Sequence, residues 1–408
     1  MSLVIPDPVI GAWTKGLPPR VHGLRLSQLA GAGLHLSDLP TPVFTLTQDA
    51  LAHNEQTVFG WAASQGVLLA PHGKTTMAPA LWQRLLDAGA WGISVATPWQ
   101  VGVAVEAGVQ TIFLCNDLTD LGAAAGIREA LEADPELRVL CWTDSAANAA
   151  RLQSVFAGTP HPLDVLVELG GAGGRTGART QKAGLEVAHA IAAADGLRLA
   201  GVGGYEGAVG PDRSDESLAR VDAFLHSLVD LHDQLAAEGA FAGIRPVLSA
   251  GGSAFPDRVA TILRERRDQA DIVLRSGAFQ IHDDGHYTHM SPFGRDVDTA
   301  PLRSAMHVWA RVLSRPEPEL ALLDAGRRDV PFDIDLPVPQ TVAGEVTALN
   351  DQHAFLALSD ETELAVGDVV RLGLSHPCTA FDKWRVAVLI DDPDAADPRV
   401  IGAVATCF

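Results

Sequence analysis

One lysine and one histidine–cysteine pair carry the reactive groups that stand out in this 408-residue sequence. Lys74 lies in Pro71-His72-Gly73-Lys74-Thr75-Thr76, directly after a short apolar run that reads as a strand. A lysine at the C-terminal mouth of a parallel βα array, shielded from water, can lose its proton and attack an aldehyde, as Schiff-base chemistry requires. Read alone, the same residue can be a solvated surface charge, as most lysines are. His376-Pro-Cys378 is more discriminating. Residues i and i+2 of an extended segment point to one face, and Pro377 favours extension at His376. Imidazole and thiolate together suit Zn²⁺ or another divalent cation, and two protein ligands leave positions open for water and substrate. The alternative is a buried, inert cysteine beside an unrelated histidine.

Two glycine-rich segments, Ser249-Ala-Gly251-Gly252-Ser253 and Arg275-Ser-Gly277, follow late strand candidates. Glycine there lets backbone N–H groups approach a phosphate closely, although either segment also fits an ordinary strand-to-helix turn. The expected cradle is the backbone of Gly251, Gly252, Ser253 and Gly277, with the Ser253 hydroxyl in support. Arg175, in Gly-Gly-Arg-Thr-Gly, ends the fifth expected barrel strand, and Tyr205, one of only two tyrosines, ends the sixth. Without further context they read as a surface arginine and a core-edge tyrosine. His282, His286 and His289, with Asp283 and Asp284, have spacings unlike those of zinc motifs, so a solvated loop is expected there.

These residues need a frame, and the sequence supplies one. From about residue 67 to 277, β-rich runs alternate with helical patterns, the signature of repeated βα units around a parallel sheet. The strand candidates are Val67 to Ala70, Gly92 to Ala96, Thr111 to Leu114, Arg138 to Trp142, Asp164 to Leu169, Leu199 to Gly203, Pro246 to Ser249 and Asp271 to Leu274, enough for a closed (β/α)8 TIM-like barrel. Ala78 to Ala88 and Ser214 to Ala237 read as covering helices. After about Thr299 the pattern changes to short strands between Gly, Pro and Asp turns, which predicts a second, mostly antiparallel β domain. Thr41 to Leu46 is strand-like and is expected to join that sheet. The predicted division is a barrel over 47–298 and a β domain made of 1–46 and 299–408. Arg315 to Glu319 and Asp391 to Arg399 read as surface loops.

The composition is globular, 47% hydrophobic and 20% charged. A formal net charge of -20 argues against a nucleic-acid partner, because that binding runs on clustered Lys and Arg. Cys115, Cys141, Cys378 and Cys407 have no framework spacing, which suits free thiols in a reducing compartment. No basic-then-apolar leader and no run near the ~20 apolar residues of a membrane span stands out, so a cytoplasmic location and no membrane partner are expected.

A strand, then Pro-His-x-Lys-Thr, then a helix, opening a barrel followed by a β domain, resembles the fold-type III pyridoxal-phosphate enzymes of the D-serine dehydratase and D-threonine aldolase group, an alanine-racemase-like fold. The resemblance runs from about Thr41 to the C-terminus through Pro71 to Thr75, Glu168 to Gly177, Gly203 to Gly207, Ser249 to Ser253, Leu274 to Gly277, Leu323 to Gly326 and His376 to Trp384. It implies pyridoxal 5'-phosphate as a Schiff base on Lys74, Arg175 aimed at the cofactor's pyridine nitrogen, and Tyr205 in the active site. A permanent cation at that nitrogen weakens the ring as an electron sink. His-x-Cys resembles the zinc site of the dehydratase branch, whereas the aldolase branch tends to carry a carboxylate at the second position. The departures at Gly73, Thr76-Met77 and Glu206-Gly207 suggest a reshaped substrate pocket. The implied activity is loss of water and ammonia from a D-3-hydroxy amino acid, with Lys74 as general base and the ion on His376 and Cys378 assisting departure of the hydroxyl. D-threonine aldolase-type cleavage to glycine and an aldehyde is the alternative, and a non-catalytic pyridoxal-phosphate-binding protein is the second. A homodimer is expected by analogy with the fold.

Overall fold

Eight short apolar runs pair in parallel in the computed structural model, which describes residues 2–241, 243–359 and 362–408. Strand β1 (Val43–Thr47) belongs to another sheet. The parallel set is β2 (Leu68–Leu69), β3 (Ile93–Val95), β4 (Thr111–Asp117), β5 (Arg138–Thr143), β6 (Leu163–Leu169), β7 (Leu197–Gly204), β8 (Val247–Ala250) and β9 (Asp271–Leu274). Their order is β2-β9-β8-β7-β6-β5-β4-β3. The two outer members meet where the Trp91 and Ser94 N–H groups donate to the Leu69 and Pro71 carbonyls and where His72 bridges Ser94 in parallel, so the sheet curls into a barrel. Each sequence candidate falls on one of these strands.

Parallel strands are covered on both faces, which is why they read as continuous apolar runs. Alternate side chains separate cleanly: Phe113, Leu140, Leu166 and Val247 fill the barrel interior with Trp142. Ile112, Val139, Val165 and Leu248 face the surrounding helices. Those helices are α1 (Gln48–Gln65), α2 (Pro79–Asp87), α3 (Pro98–Ala107), α4 (Leu121–Ala133), α5 (Ala146–Phe156), α6 (Gln181–Ala193), α7 (Asp215–Ala237) and α8 (Pro256–Leu263). Their starts are set locally: Asp120, Ser145, Thr180 and Ser214 each accept a backbone N–H as N-caps, and Thr97 with Gln100 forms a capping box on α3. A short helix α9 (His286–Met290) follows the barrel.

The second sheet is built by β10 (Met306–Glu317), β11 (Leu320–Leu323), β12 (Val338–Pro339), β13 (Gly344–Leu349), β14 (Ala354–Leu358), β15 (Val369–Gly373), β16 (Val386–Ile390) and β17 (Val400–Ala405), with one turn of helix α10 (Pro377–Phe381) between β15 and β16. Strand β1 lies inside it, antiparallel to β10 and parallel to β16, and its other pairings are antiparallel. Phe44 of β1 meets Phe381 edge-on at 5.1 Å and stacks on Trp384 at 5.9 Å, which seats α10 against the sheet. The expected loop at Arg315 to Glu319 is partly strand, since β10 continues to Glu317. Its far half is largely exposed and carries Ser314, Arg315 and Glu317, so hydrophobic alternation fades before the strand ends. Among the described residues, no helix is long and apolar enough to cross a membrane.

Candidate active site

The C-terminal ends of the barrel strands and helix α10 enclose a cavity of about 330 Å³. Lys74, Arg175, Tyr205, Gly251, Gly252, Ser253, Gly277, His376 and Cys378 all line it, so residues dispersed over three hundred positions converge. His72, Thr75, Trp142, Glu168, Arg275 and Tyr287 line it too, and the sequence reading gave none of these a role.

Lys74 sits on a single 3-10 turn, Gly73–Thr75, between β2 and α2. The turn is pinned by the Trp82 indole N–H on the Gly73 carbonyl at 3.2 Å and by His72 Nδ1 against the Ser94 carbonyl at 3.1 Å. Burial pushes His72 well below the usual imidazole range, so a neutral ring donates through Nδ1 and leaves Nε2 as an acceptor. A Cβ on Gly73 would lie 2.7 Å from Ile93 and 2.9 Å from Trp82, both in the helix-facing core. Gly73 is therefore a packing requirement of the turn. Gly73, Thr76, Met77, Glu206 and Gly207 do not line the cavity, which corrects the expectation that these departures reshape the substrate pocket.

The expected phosphate cradle also needs correction. The Gly251 and Gly252 N–H groups donate to the two carboxylate oxygens of Glu206, at 2.9 and 2.6 Å, and Glu206 is fully buried. Two backbone donors facing one buried carboxylate satisfy each other and are not available to a phosphate. Among the described residues, the N–H groups of Ser253 and Gly277 make no hydrogen bond, and the Ser253 hydroxyl accepts from Ala278 N–H at 3.2 Å. Tyr287 lines the cavity beside Ser253. A Cβ on Gly277 would come within 2.7 Å of the His72 backbone, and one on Gly252 within 2.7 Å of the Tyr205 ring. An anion fits beside Ser253, Gly277 and Tyr287, with the glycines keeping the approach clear.

At the floor, Arg275 is buried, donates to Ser249 Oγ at 2.5 Å and the Gly204 carbonyl at 2.7 Å, and lies 4.6 Å over the Trp142 ring. Arg175 does not end a strand; it lies in the loop beyond β6, exposed, with its guanidinium 4.4 Å over the Tyr205 ring and its carbonyl accepting from the Arg179 guanidinium. Trp142 Nε1 and Glu168 Oε2 are buried without partners. Burial first, then the neighbouring Asp117 and Asp144 charges, pushes Glu168 up to about 7, despite a hydrogen bond from Thr176. Asp117, Asp144 and Glu168 bring oxygens within 4.8 Å of one another, close enough to share protons or a cation. An open cavity holding a lysine amine, unsatisfied N–H donors and orphaned polar atoms fits a phosphorylated aromatic aldehyde.

His376 and Cys378 converge by a different route from the one expected. His376 is not extended: its φ is 54° and ψ 84°, the left-handed region, and Cys378 lies in the first turn of α10. Pro377 occupies the first helical position, where its missing N–H costs nothing. The His376 N–H donates to Asp283 Oδ2 at 2.9 Å, which holds the backbone there. Asp283 is fully buried and also takes the Gly285 and Tyr287 N–H groups, so the stretch expected to be a solvated loop is partly buried and braces the site. His282, His286 and His289 join no group of three or more metal-type ligands among the described residues. The hydrogen bond with Cys378, opposed by burial and aided by Asp333, pushes His376 up to about 9. Burial opposes ionisation of Cys378, yet hydrogen bonds from His376 and Thr75 outweigh it and the net shift is downward. An imidazole and a thiol poised to share one proton are a donor set that suits a Zn²⁺ ion in place of that proton.

The architecture, a parallel barrel with a lysine at its mouth and a largely antiparallel sheet behind it, defines the alanine-racemase-like class. The chain is 24% identical to a D-threonine aldolase from Filomicrobium marinum, whose crystal structure superposes with a TM-score of 0.78 over 92% of this chain and 97% of that one. The D-threo-3-hydroxyaspartate dehydratase from Delftia sp. HT23 superposes with a TM-score of 0.72 at 20% identity, over 89% of this chain and 97% of that one. By sequence, a D-threonine aldolase from Arthrobacter sp is 25% identical over 390 residues, 94% of this chain and 97% of its own. The family model described as "Putative serine dehydratase domain" matches residues 305–390, the span that carries His376 and Cys378. The fold is thus shared with D-threonine aldolases and D-threo-3-hydroxyaspartate dehydratases, and the chain is similar to a D-threonine aldolase over nearly its whole length.

Proposed function

We propose that this chain converts a D-3-hydroxy amino acid into a 2-oxo acid and ammonia. Water leaves across the Cα–Cβ bond, and a later hydrolysis of the enamine returns one water and releases ammonia, so D-serine would give pyruvate. The observation that carries this reading is the thiol at Cys378, beside His376 and within 3.4 Å of Thr75, the residue next to Lys74. When bound through Lys74, pyridoxal 5'-phosphate supplies an electron sink for charge at the substrate's α-carbon. Zn²⁺ on His376 and Cys378 supplies Lewis acidity at a hydroxyl leaving group.

The remaining roles fall to side chains of the chain itself. Lys74 Nζ takes the α-proton, since it is the amine that faces the cavity from the strand end. Ser253, Gly277 and Tyr287 hold the phosphate end. Arg175 faces the cofactor from the mouth with Tyr205 beneath its guanidinium, while buried Arg275 fixes the floor. A second reading has an observation of its own: relatives such as the Arthrobacter protein are named D-threonine aldolases. On that reading a base takes the β-hydroxyl proton and the Cα–Cβ bond breaks.

Purified protein loaded with pyridoxal 5'-phosphate and Zn²⁺ should be incubated with D-serine, D-threonine and D-3-hydroxyaspartate. Formation of 2-oxo acid and ammonia supports dehydration. Glycine and aldehyde in equal amounts, without 2-oxo acid, would replace it with the aldolase reading.

A further inference from the structure

Asp333 lies in the segment between β11 and β12, far in sequence from the metal pair, yet both of its oxygens are used on α10 and its cap. Oδ2 is 2.5 Å from His376 Nδ1, and Oδ1 accepts the Thr379 hydroxyl at 2.6 Å. Thr379 Oγ1 also contacts the His376 carbonyl at 3.3 Å, so carboxylate, hydroxyl and imidazole form one closed arrangement. An imidazole that donates Nδ1–H to a carboxylate has a fixed tautomer and a fixed ring plane, and its Nε2 lone pair is left for a ligand. A carboxylate on the far side of a ligating histidine also strengthens it as a donor. The His376 backbone is separately anchored, its N–H on Asp283. The ligand is thus held at the main chain by one aspartate and at the ring by another.

We propose that Asp333 is the positioning residue of the metal site: by holding His376 Nδ1 it presents Nε2 toward Cys378 and sets the affinity for a divalent cation. This rests on the reading of His376 and Cys378 as metal ligands. Zn²⁺ affinity of the full-length, cofactor-loaded protein is to be measured by competition with a chelating dye, for the wild type, Asp333→Asn, Asp333→Ala and Thr379→Val. The expected result is a loss of about 10- to 100-fold in Asp333→Asn, at least as much in Asp333→Ala, and a smaller loss in the same direction in Thr379→Val. The midpoint of thermal unfolding with chelator present should not move in Asp333→Asn, because that change keeps the shape of a partly exposed side chain. With Co²⁺ as probe, the thiolate charge-transfer band should persist in Asp333→Asn at higher metal concentration, showing that Cys378 still binds. Equal Zn²⁺ affinity in wild type and Asp333→Asn overturns the inference. A wild type that binds no Zn²⁺ overturns instead the metal reading beneath it. If Asp333→Asn and Asp333→Ala fail to fold, Asp333→Glu and Thr379→Val decide, and unchanged affinity in both overturns the proposal.

Discussion

Thr75 Oγ1 lies 3.4 Å from Cys378 Sγ, so the residue that follows Lys74 on the barrel touches the thiol carried by the second sheet's helix. The two reactive groups are thereby locked into one site although the sequence separates them by three hundred residues. On the proposed reading, proximity of this kind makes a metal on His376 and Cys378 part of the lysine's chemistry.

On the proposed reading, replacing Lys74 with alanine removes the amine that both anchors the aldehyde and takes the α-proton. The variant should show no imine absorbance after addition of pyridoxal 5'-phosphate, and turnover should fall by roughly 10²- to 10⁴-fold or more, the usual contribution of a positioned base. A variant that keeps the yellow absorbance would place the covalent link elsewhere.

Chelation should abolish 2-oxo acid formation, and Zn²⁺ should restore it. Cys378→Asp exchanges a soft sulfur ligand for a hard oxygen, so reactivation should shift from Zn²⁺ toward Mn²⁺ or Mg²⁺. Full activity in exhaustively chelated protein would remove the metal from the reaction.

Glu206→Ala leaves the Gly251 and Gly252 N–H groups at the cavity wall without their buried acceptor. Each orphaned donor costs on the order of 1–3 kcal/mol, so the unfolding midpoint should drop by several degrees and cofactor affinity should weaken as the glycine loop relaxes. Calorimetry and cofactor titration check both. Unchanged stability would mean that water enters and replaces the carboxylate.

Glu168 supplies the pH dependence. Its ordinary value of 4.5 is pushed to about 7 in the folded chain, chiefly by burial. Between those values the folded state holds a proton that the unfolded state has released, so stability falls as pH rises through this window. The group is nearly fully buried, and the full effect is on the order of 3 kcal/mol above pH 7. Glu168→Gln keeps the acceptor for Thr176 without the charge. It should match the wild type near pH 4.5 and exceed it in stability near pH 8, by chemical denaturation of the metal-free protein. Identical pH profiles would show that the carboxylate is solvated.

The barrel was legible because buried parallel strands are written as contiguous apolar runs, and each run from Val67 to Leu274 coincides with a strand. The site residues were legible where a motif surrounds them. What escaped depends on partners far away in sequence. Glu206 claims two N–H groups that glycine content alone assigned to phosphate. His376 adopts a left-handed conformation because Asp283 binds its N–H, which no neighbour of His376 announces. Tyr287 had one available signal, its rarity: the chain has two tyrosines and both face the cavity. Arg275 stood in a quoted motif but was read only for the glycine that follows it.

The position of β1 has a consequence for biosynthesis. This strand leaves the ribosome early, yet its neighbours β10 and β16 are translated only after the whole barrel. Until then both of its hydrogen-bonding edges are open, a template for mispairing with other nascent chains. Chains stalled before Val386 should therefore depend on chaperones far more than finished ones.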